Sequence, residues 1–221
     1  MNQQAIPEAK HMTASSPPPL SITGLILAGG RGSRMGLVDK GLQLLQGQTL
    51  CQHVLARLAP QVSHMMINAN QNLERYQAFG VPVIADAIEG FAGPLAGMHS
   101  GMQQAATPYL LTAPVDSPFL PVDLAARLAQ ALQQQQAEVA VAMTLEDGRQ
   151  QVQPVFCLMK TALLPHLSAW LAAGGRKIDA WYGDLAVARV LFEDRDAFRN
   201  LNTLDELQQA HTLTASDPAS N

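Results

Sequence analysis

Hydrophobic residues along this chain form short apolar runs that alternate with longer stretches of helical spacing. The apolar runs predict β-strands at residues 24–28, 64–68, 81–85, 109–113, 138–143, 152–158 and 187–191. The stretches between them predict helices at residues 49–59, 72–79, 94–105, 121–134, 161–172, 177–182 and 204–211. This alternation is typical of βαβ units, so we predict an α/β fold with a mainly parallel sheet and helices on both faces.

One connection breaks the alternation. Residues 145–152 join two strand runs through Glu-Asp-Gly-Arg-Gln, which leaves no room for a crossover helix. Parallel neighbours need such a crossover, whereas antiparallel neighbours need only a tight turn. The segment therefore predicts a hairpin and at least one antiparallel strand.

The two ends of the chain differ in composition from its middle. Residues 1–21 include Ser15-Ser-Pro-Pro-Pro19, which favours neither a helix nor a strand ladder, and residues 212–221 are mostly small or polar. We therefore predict a disordered N-terminal tail over 1–21, a single domain over 22–211 and a flexible tail over 212–221.

The first predicted strand ends in an unusual combination of glycine and positive charge. The apolar run 24–28 is followed by Gly29 and Gly30, and Arg34 and Lys40 come soon after. Glycines let backbone N–H groups approach an anion directly, while arginine and lysine neutralise several phosphate oxygens at once. The stretch predicts a polyphosphate site.

Two familiar phosphate loops do not fit this spacing. The P-loop needs Ser or Thr after its lysine, but Lys40 is followed by Gly41. The dinucleotide fingerprint needs its third glycine one residue before Gly36 and an acid about 20 residues further on, where this chain has uncharged glutamines. A Rossmann-type oxidoreductase and a non-catalytic nucleotide-binding module remain as alternatives from other classes.

The same stretch resembles the nucleotidyltransferase signature, in which a strand leads into Gly-Gly, then Arg-Met-Gly and a lysine. Over about residues 22–211 the chain is similar to the molybdenum cofactor guanylyltransferase family. The resemblance implies a three-layer Rossmann-like nucleotidyltransferase fold and transfer of GMP from GTP to the terminal phosphate of molybdenum-bound molybdopterin, with release of pyrophosphate. A sibling activity that uses CTP, or a sugar or polyol phosphate acceptor, remains an alternative.

Polar residues also follow other predicted strands, and ligands of open parallel sheets collect beyond the carboxyl ends of the strands. Asp116 follows the strand at 109–113 and could bridge Mg²⁺ to substrate phosphates. Taken alone, it is better explained as a turn residue before the helix that starts near Pro121. Its match to the magnesium-binding aspartate of the family favours the metal role.

The resemblance assigns the remaining site residues one by one. The nucleotide-binding residues that it implies are Leu27, Ala28, Gly29, Gly30, Lys40, Asn68, Asp86, Gly93 and Asp116. The residues that it implies in catalysis are Arg34, Lys40, Asp116 and Asn202, with Asp116 as the Mg²⁺ ligand. Asn202 is preferred over Asn200 as the residue near the metal and the acceptor phosphate. Loose candidates for gripping that phosphate are Arg149, Gln153, Arg176 and Lys177.

Each of these residues also has a structural interpretation. Asn68 could bond backbone groups at its strand end, Asp86 could stabilise a turn, and Gly93 could serve the entry of a helix. These alternatives stay open at the level of the sequence.

Composition narrows the possible partners. A formal net charge of −4 gives no basic field for polymeric nucleic acid. Cys51 and Cys157 lack zinc-ligand spacing, and no apolar run is long enough for a membrane span. We predict a cytoplasmic monomer, and the resemblance adds transient contact with molybdenum-insertion proteins or chaperones of apo-molybdoenzymes.

Overall fold

The computed structural model describes residues 20–29, 39–88, 93–201 and 206. The β-strands are β1 (Ile22–Leu27), β2 (Leu44–Leu45), β3 (Gln48–Thr49), β4 (His64–Asn68), β5 (Val83–Ile84), β6 (Tyr109–Pro114), β7 (Val139–Glu146), β8 (Arg149–Lys160) and β9 (Val187–Leu191). The α-helices are α1 (Leu50–Leu58), α2 (Leu73–Gln77), α3 (Pro94–Gln104), α4 (Leu124–Gln134), α5 (Leu164–Ala172) and α6 (Ile178–Trp181).

Seven of these strands form one sheet in the order β5-β4-β1-β6-β8-β7-β9. β1 lies parallel to β4 and β6, β4 to β5, and β7 to β9. β8 alone runs in the opposite direction, because it pairs antiparallel with both β6 and β7. The prediction of a mainly parallel sheet with an antiparallel hairpin strand is confirmed.

The hairpin between β7 and β8 extends past its neighbours. Asp147 and Gly148 occupy its turn with φ of 49° and 74°, the left-handed geometry that a two-residue hairpin prefers. The three rungs from Thr144 to Glu146, paired with Gln151 to Arg149, lie beyond the last rungs that β6 and β9 make with this pair. We call these three rungs the β7–β8 ribbon.

Two hydrophobic clusters fill the two faces of the sheet. Along β1 the side chains alternate, so Ile22 and Ile26 join one cluster and Leu25 joins the other. The first cluster receives residues of α1 and α4, and the second receives residues of α3, α5 and α6. Each fully buried leucine or isoleucine contributes about 1.5–3 kcal/mol. The predicted arrangement of helices on both faces, and with it the three-layer fold, is confirmed.

Several predicted boundaries differ from the structure. The helix predicted from residue 121 begins at Leu124, and the N–H of Ala125 in its first turn donates to the Gln61 side chain (2.9 Å). The strand predicted at 81–85 is only Val83–Ile84, and a short 3₁₀ turn replaces the start of the helix predicted from residue 161. The helix predicted at 204–211 lies mostly outside the described residues, as do almost all of both predicted tails.

The small hairpin of β2 and β3 does not appear among the predicted elements. Gln46 and Gly47 turn the chain with positive φ, and Thr49 then caps α1 through a capping box with Gln52. Among the described residues, no helix has the length and apolar character that crossing a membrane requires.

Candidate nucleotide site

Three neighbouring strands end together at one edge of the sheet. β1, β4 and β6 run parallel, and Leu27 of β1 is in register with Asn68 of β4 and Pro114 of β6. Beyond that rung, Ala28 N donates to Asn68 O (2.8 Å) and Val115 N donates to Leu27 O (3.1 Å). The residues that follow these strands are therefore held beside one another, as the predicted site requires.

Lys40 and Asp116 meet at this edge. Lys40 Nζ lies 3.3 Å from Asp116 Oδ2, although 76 positions separate them in sequence. The two side chains are 23% and 16% exposed, so they are partly shielded from water but can still be reached by a ligand. An ion pair of this exposure adds little to stability, so its placement is of interest mainly for chemistry.

A buried tyrosine holds the segment that carries Lys40. Asp39 begins a 3₁₀ turn, and its carboxylate accepts from Gly41 N (3.2 Å), Tyr76 OH (2.6 Å) and Asn72 Nδ2 (2.9 Å). Burial first, and then the hydrogen bond to Asp39, raise the pKa of Tyr76 well above its ordinary value. The hydroxyl therefore remains a proton donor at any working pH.

Asp39, Tyr76 and Asn72 were missed by the sequence reasoning. An Asp directly before the lysine is a local signal for a capped turn, and it could have identified Asp39. The contacts to Tyr76 and Asn72 span more than 30 positions, and no local pattern predicts them.

A network of side-chain amides surrounds Asp86. Asn68 Nδ2 donates to Asp86 Oδ1 (2.9 Å), and Asn70 Nδ2 donates to Asp86 Oδ2 (2.8 Å). In return, Asp86 N donates to Asn70 Oδ1 (2.8 Å). Asn68 also donates to Ile84 O (3.3 Å) and is only 2% exposed. Both hydrogens of its amide are thus used inside the protein.

Glycines line this network where other backbone approaches it. A Cβ on Gly29 would lie 3.0 Å from both Asn68 Oδ1 and Asn70 Nδ2. A Cβ on Gly97, in α3, would overlap Asn68 Oδ1 and lie 2.6 Å from Leu27 Cδ2. Gly93 differs, because a Cβ there would meet open space, and its φ of 64° is what favours glycine.

The last described part of the chain returns to Asp116. Leu201 N donates to Asp116 O (2.8 Å), and Ser117 Oγ donates to Asn200 Oδ1 (2.5 Å). The buried Ser117 hydroxyl is thereby engaged inside the protein. Asn200 thus contacts the residue next to Asp116. Of the two candidates Asn200 and Asn202, Asn200 is the one among the described residues.

Some predicted residues are not brought together. Gly30, Arg34 and Asn202 lie outside the described residues. Among the loose acceptor candidates, Gln153 donates to Thr144 (3.0 Å) and Arg176 donates to the carbonyl oxygens of two neighbouring residues. The other two acceptor candidates are Arg149, the first residue of β8 after the hairpin turn, and Lys177, the N-cap residue of α6.

The donor set available for a metal is small. Within the described part of the chain, no three His, Cys, Asp or Glu residues cluster so that they could hold an ion. Asp116 offers a single carboxylate at a strand end, and substrate oxygens and water must complete any coordination sphere. That is the kind of site that Mg²⁺ uses with nucleotides.

Known proteins resemble this chain over most of its sequence. The MobA-like NTP transferase domain family matches residues 24–187. The molybdenum cofactor guanylyltransferase of Cupriavidus necator is 59% identical over 192 residues, which cover 86% of this chain and 96% of that protein. The enzyme of the same name from Bordetella pertussis is 52% identical over 188 residues, covering 85% and 95%.

Solved structures share the fold at lower identity. Molybdopterin-guanine dinucleotide biosynthesis protein A from Archaeoglobus fulgidus superposes with a TM-score of 0.71 at 20% identity, covering 88% of this chain and all of that one. The 2-C-methyl-D-erythritol 4-phosphate cytidylyltransferase of Thermus thermophilus gives 0.68 at 18% identity, covering 86% and 98%. These two likenesses establish the nucleotidyltransferase fold.

Proposed function

The chain belongs to the MobA-like NTP transferase family, and we propose how its site carries out guanylyl transfer in molybdenum cofactor synthesis. The protein transfers the GMP group of GTP to molybdopterin and releases pyrophosphate. Molybdenum bound to the pterin, and the terminal phosphate as the attacking group, complete the proposed acceptor. The observation that carries the proposal is the contact between Lys40 and Asp116 at the edge where three parallel strands end.

The reaction joins two anions, so the protein must neutralise and align charge. An oxygen of the acceptor phosphate attacks the α-phosphorus of GTP and forms a new P–O bond. The bond between the α-phosphorus and the oxygen that bridges it to the β-phosphorus breaks, and pyrophosphate leaves with that oxygen. That oxygen is already ionised at neutral pH, so no covalent nucleophile or strong base is needed. Lys40, together with Arg34, is proposed to hold the phosphates and to stabilise the charge on the departing pyrophosphate.

Asp116 is proposed as the protein ligand of Mg²⁺. Mg²⁺ retains several waters and takes one or two carboxylates together with substrate phosphates, and a single accessible carboxylate beside Lys40 fits that requirement. Bound there, Mg²⁺ supplies charge neutralisation for the triphosphate. Asn202 is proposed to approach the metal and the acceptor phosphate from the segment that Leu201 ties to Asp116.

The nucleotide is proposed to lie across the same edge. The backbone of residues 27–30 seats it, while Asp86, Asn68 and the segment at Gly93 fix its base and ribose. The support for this placement is the register of Leu27 with Asn68 and the bonds that join Asn68 to Asp86.

The test compares two substitutions that each remove one negative charge. Asp116→Asn should lower turnover by about 10²–10³-fold or more, the scale at which enzymes lose a group that organises developing charge. Asp184→Asn, at an exposed carboxylate after α6, should leave turnover unchanged. Turnover would be measured with GTP, Mg²⁺ and molybdenum-bound molybdopterin, and circular dichroism would check the fold. An active, folded Asp116→Asn protein would remove Asp116 from the metal site.

Titration calorimetry with GTP, CTP, ATP and UTP in the presence of Mg²⁺ tests the base. We expect GTP to bind most tightly, whereas a preference for CTP would indicate the sibling activity. Binding of NAD in place of a triphosphate would indicate the oxidoreductase alternative. A monomer in the cytoplasm, with transient partners in molybdenum insertion, stays a prediction.

A further inference from the structure

Asp86 lies on a segment with little support from the sheet. β5 has only two residues, Val83 and Ile84, and Ala85 alone separates it from Asp86. The N–H groups of Asp86 and Ala87 donate to side chains: Asp86 N to Asn70 Oδ1, and Ala87 N to Ser100 Oγ (both 2.8 Å). Side chains from β4's loop and from α3 therefore determine where this segment runs.

Asn70 grips Asp86 at both ends of its amide. Its oxygen accepts from the Asp86 N–H, and its nitrogen donates to the Asp86 carboxylate, so the two residues close a ring of hydrogen bonds. An amide is needed for this, because the contact uses one acceptor and one donor at fixed spacing. The bond to the carboxylate is charge-assisted and therefore stronger than a neutral one. Together with the bond from the Asp86 N–H, it fixes orientation as well as position.

Asn68 also holds the carboxylate of Asp86. It donates to the second Asp86 oxygen, while its other hydrogen goes to Ile84 O. Each carboxylate oxygen of Asp86 thus has one amide partner and keeps a lone pair for a further donor. Asn68 itself has no amide hydrogen left for a ligand.

We propose that Asn70 is a positioning residue for nucleotide binding, which acts by orienting the Asp86 carboxylate, and that Asn68 acts mainly through the same carboxylate. This inference rests on the proposed function of Asp86 as a nucleotide contact. It adds a residue to the site and changes the role of another. Ser100, buried in α3, extends the same support to Ala87.

The test separates the nucleoside from its phosphates. Asn70→Ala should weaken GTP binding about tenfold, the size expected when a charge-assisted hydrogen bond is lost. Binding of inorganic triphosphate, which reports only the phosphate side, should change less than about twofold on the same scale. Gln151→Ala, at an exposed amide on the β7–β8 ribbon, is the matched control and should change neither.

A double-mutant cycle shows whether Asn70 works through Asp86. Asp86→Asn should weaken GTP binding by itself, and adding Asn70→Ala should then have almost no further effect. If Asp86→Asn leaves GTP affinity unchanged, the proposed function of Asp86 is wrong. If Asp86→Asn weakens binding but Asn70→Ala does not, or if the two effects add in full, only the positioning role is wrong.

A general loss of structure has a different signature. It would lower the affinity for inorganic triphosphate together with that for GTP, and it would lower the melting temperature. If Asn70→Ala does not fold, Asn70→Ser can replace it, because a hydroxyl is too short to reach both groups of Asp86. Equal loss of both ligands in the folded variant would overturn the proposal.

Discussion

The two sides of the site are built in different ways. On the proposed phosphate side, Asp116 and Lys40 are 3.3 Å apart, and both side chains are partly exposed. On the proposed base side, three hydrogen bonds of 2.8–2.9 Å join Asp86 to two asparagines, and one of these, Asn68, is almost fully buried. A long contact between accessible charges can be exchanged for substrate or metal, whereas a short, closed network keeps a recognition group in place. We infer that the first side is built to change partners and the second to stay fixed.

Removing the lysine breaks the phosphate side and should have the largest effect. Lys40→Ala should lower turnover by about 10²–10³-fold, because a fixed positive charge near the transferred phosphate is lost. It should also weaken the binding of inorganic triphosphate. Lys160→Ala is the control, since Lys160 ends β8 in register with Tyr109 at the opposite edge of the sheet. Unchanged triphosphate affinity in Lys40→Ala would remove Lys40 from the site.

Adding one methyl group breaks the base side, with a smaller effect. Gly97→Ala places a Cβ against Asn68 and Leu27, so α3 must shift and stability should fall by about 1–3 kcal/mol. GTP affinity should fall more than that of inorganic triphosphate. Gly183→Ala is the control, because a Cβ there meets open space without a positive φ. Denaturant unfolding and calorimetry give both quantities, and a Gly97→Ala protein with native stability would contradict the close packing.

The smallest change sharpens the comparison through the support of Lys40. Tyr76→Phe removes one donor from Asp39, and stability should fall by about 1 kcal/mol, the usual value of such a bond. The affinity for inorganic triphosphate should fall a few-fold while base preference is unchanged. Tyr182→Phe, which removes the donor to Pro154 O from another buried tyrosine, should lower stability by a similar amount without changing triphosphate binding. Equal triphosphate affinities in the two variants would show that the Tyr76–Asp39 bond does not help to position Lys40.

The features that could be predicted from sequence are those with a local cause. Short apolar runs between helical stretches identified the main strands, and β4 and β9 lie at the predicted residues. The short segment after Leu145 predicted the antiparallel hairpin because no helix could fit there. The β2–β3 hairpin was missed because two-residue strands carry no measurable periodicity.

The site divides along the same line. The placement of Lys40 beside Asp116 follows from the rule that parallel strands end at a common edge, so it could be expected before the contact was seen. The bond from Asn68 to Ile84 O is the backbone contact that the sequence left open for a strand-end asparagine. The bond from Asn68 to Asp86 could not be expected, because 18 positions separate the two residues. The Asn-Ala-Asn spacing did hold a usable signal, since residues two apart in an extended segment face the same way. That spacing could have identified Asn70.

The single reversed strand has a consequence for how the chain folds. β7 and β8 are joined by a two-residue turn and can pair within microseconds, whereas β6 reaches β8 only across α4 and β7. We expect the hairpin to form early and to serve as the template on which β6, with Asp116 behind it, is later laid down. Pulse-labelled amide exchange should then show protection in β7 and β8 before β1, and simultaneous protection would contradict this order.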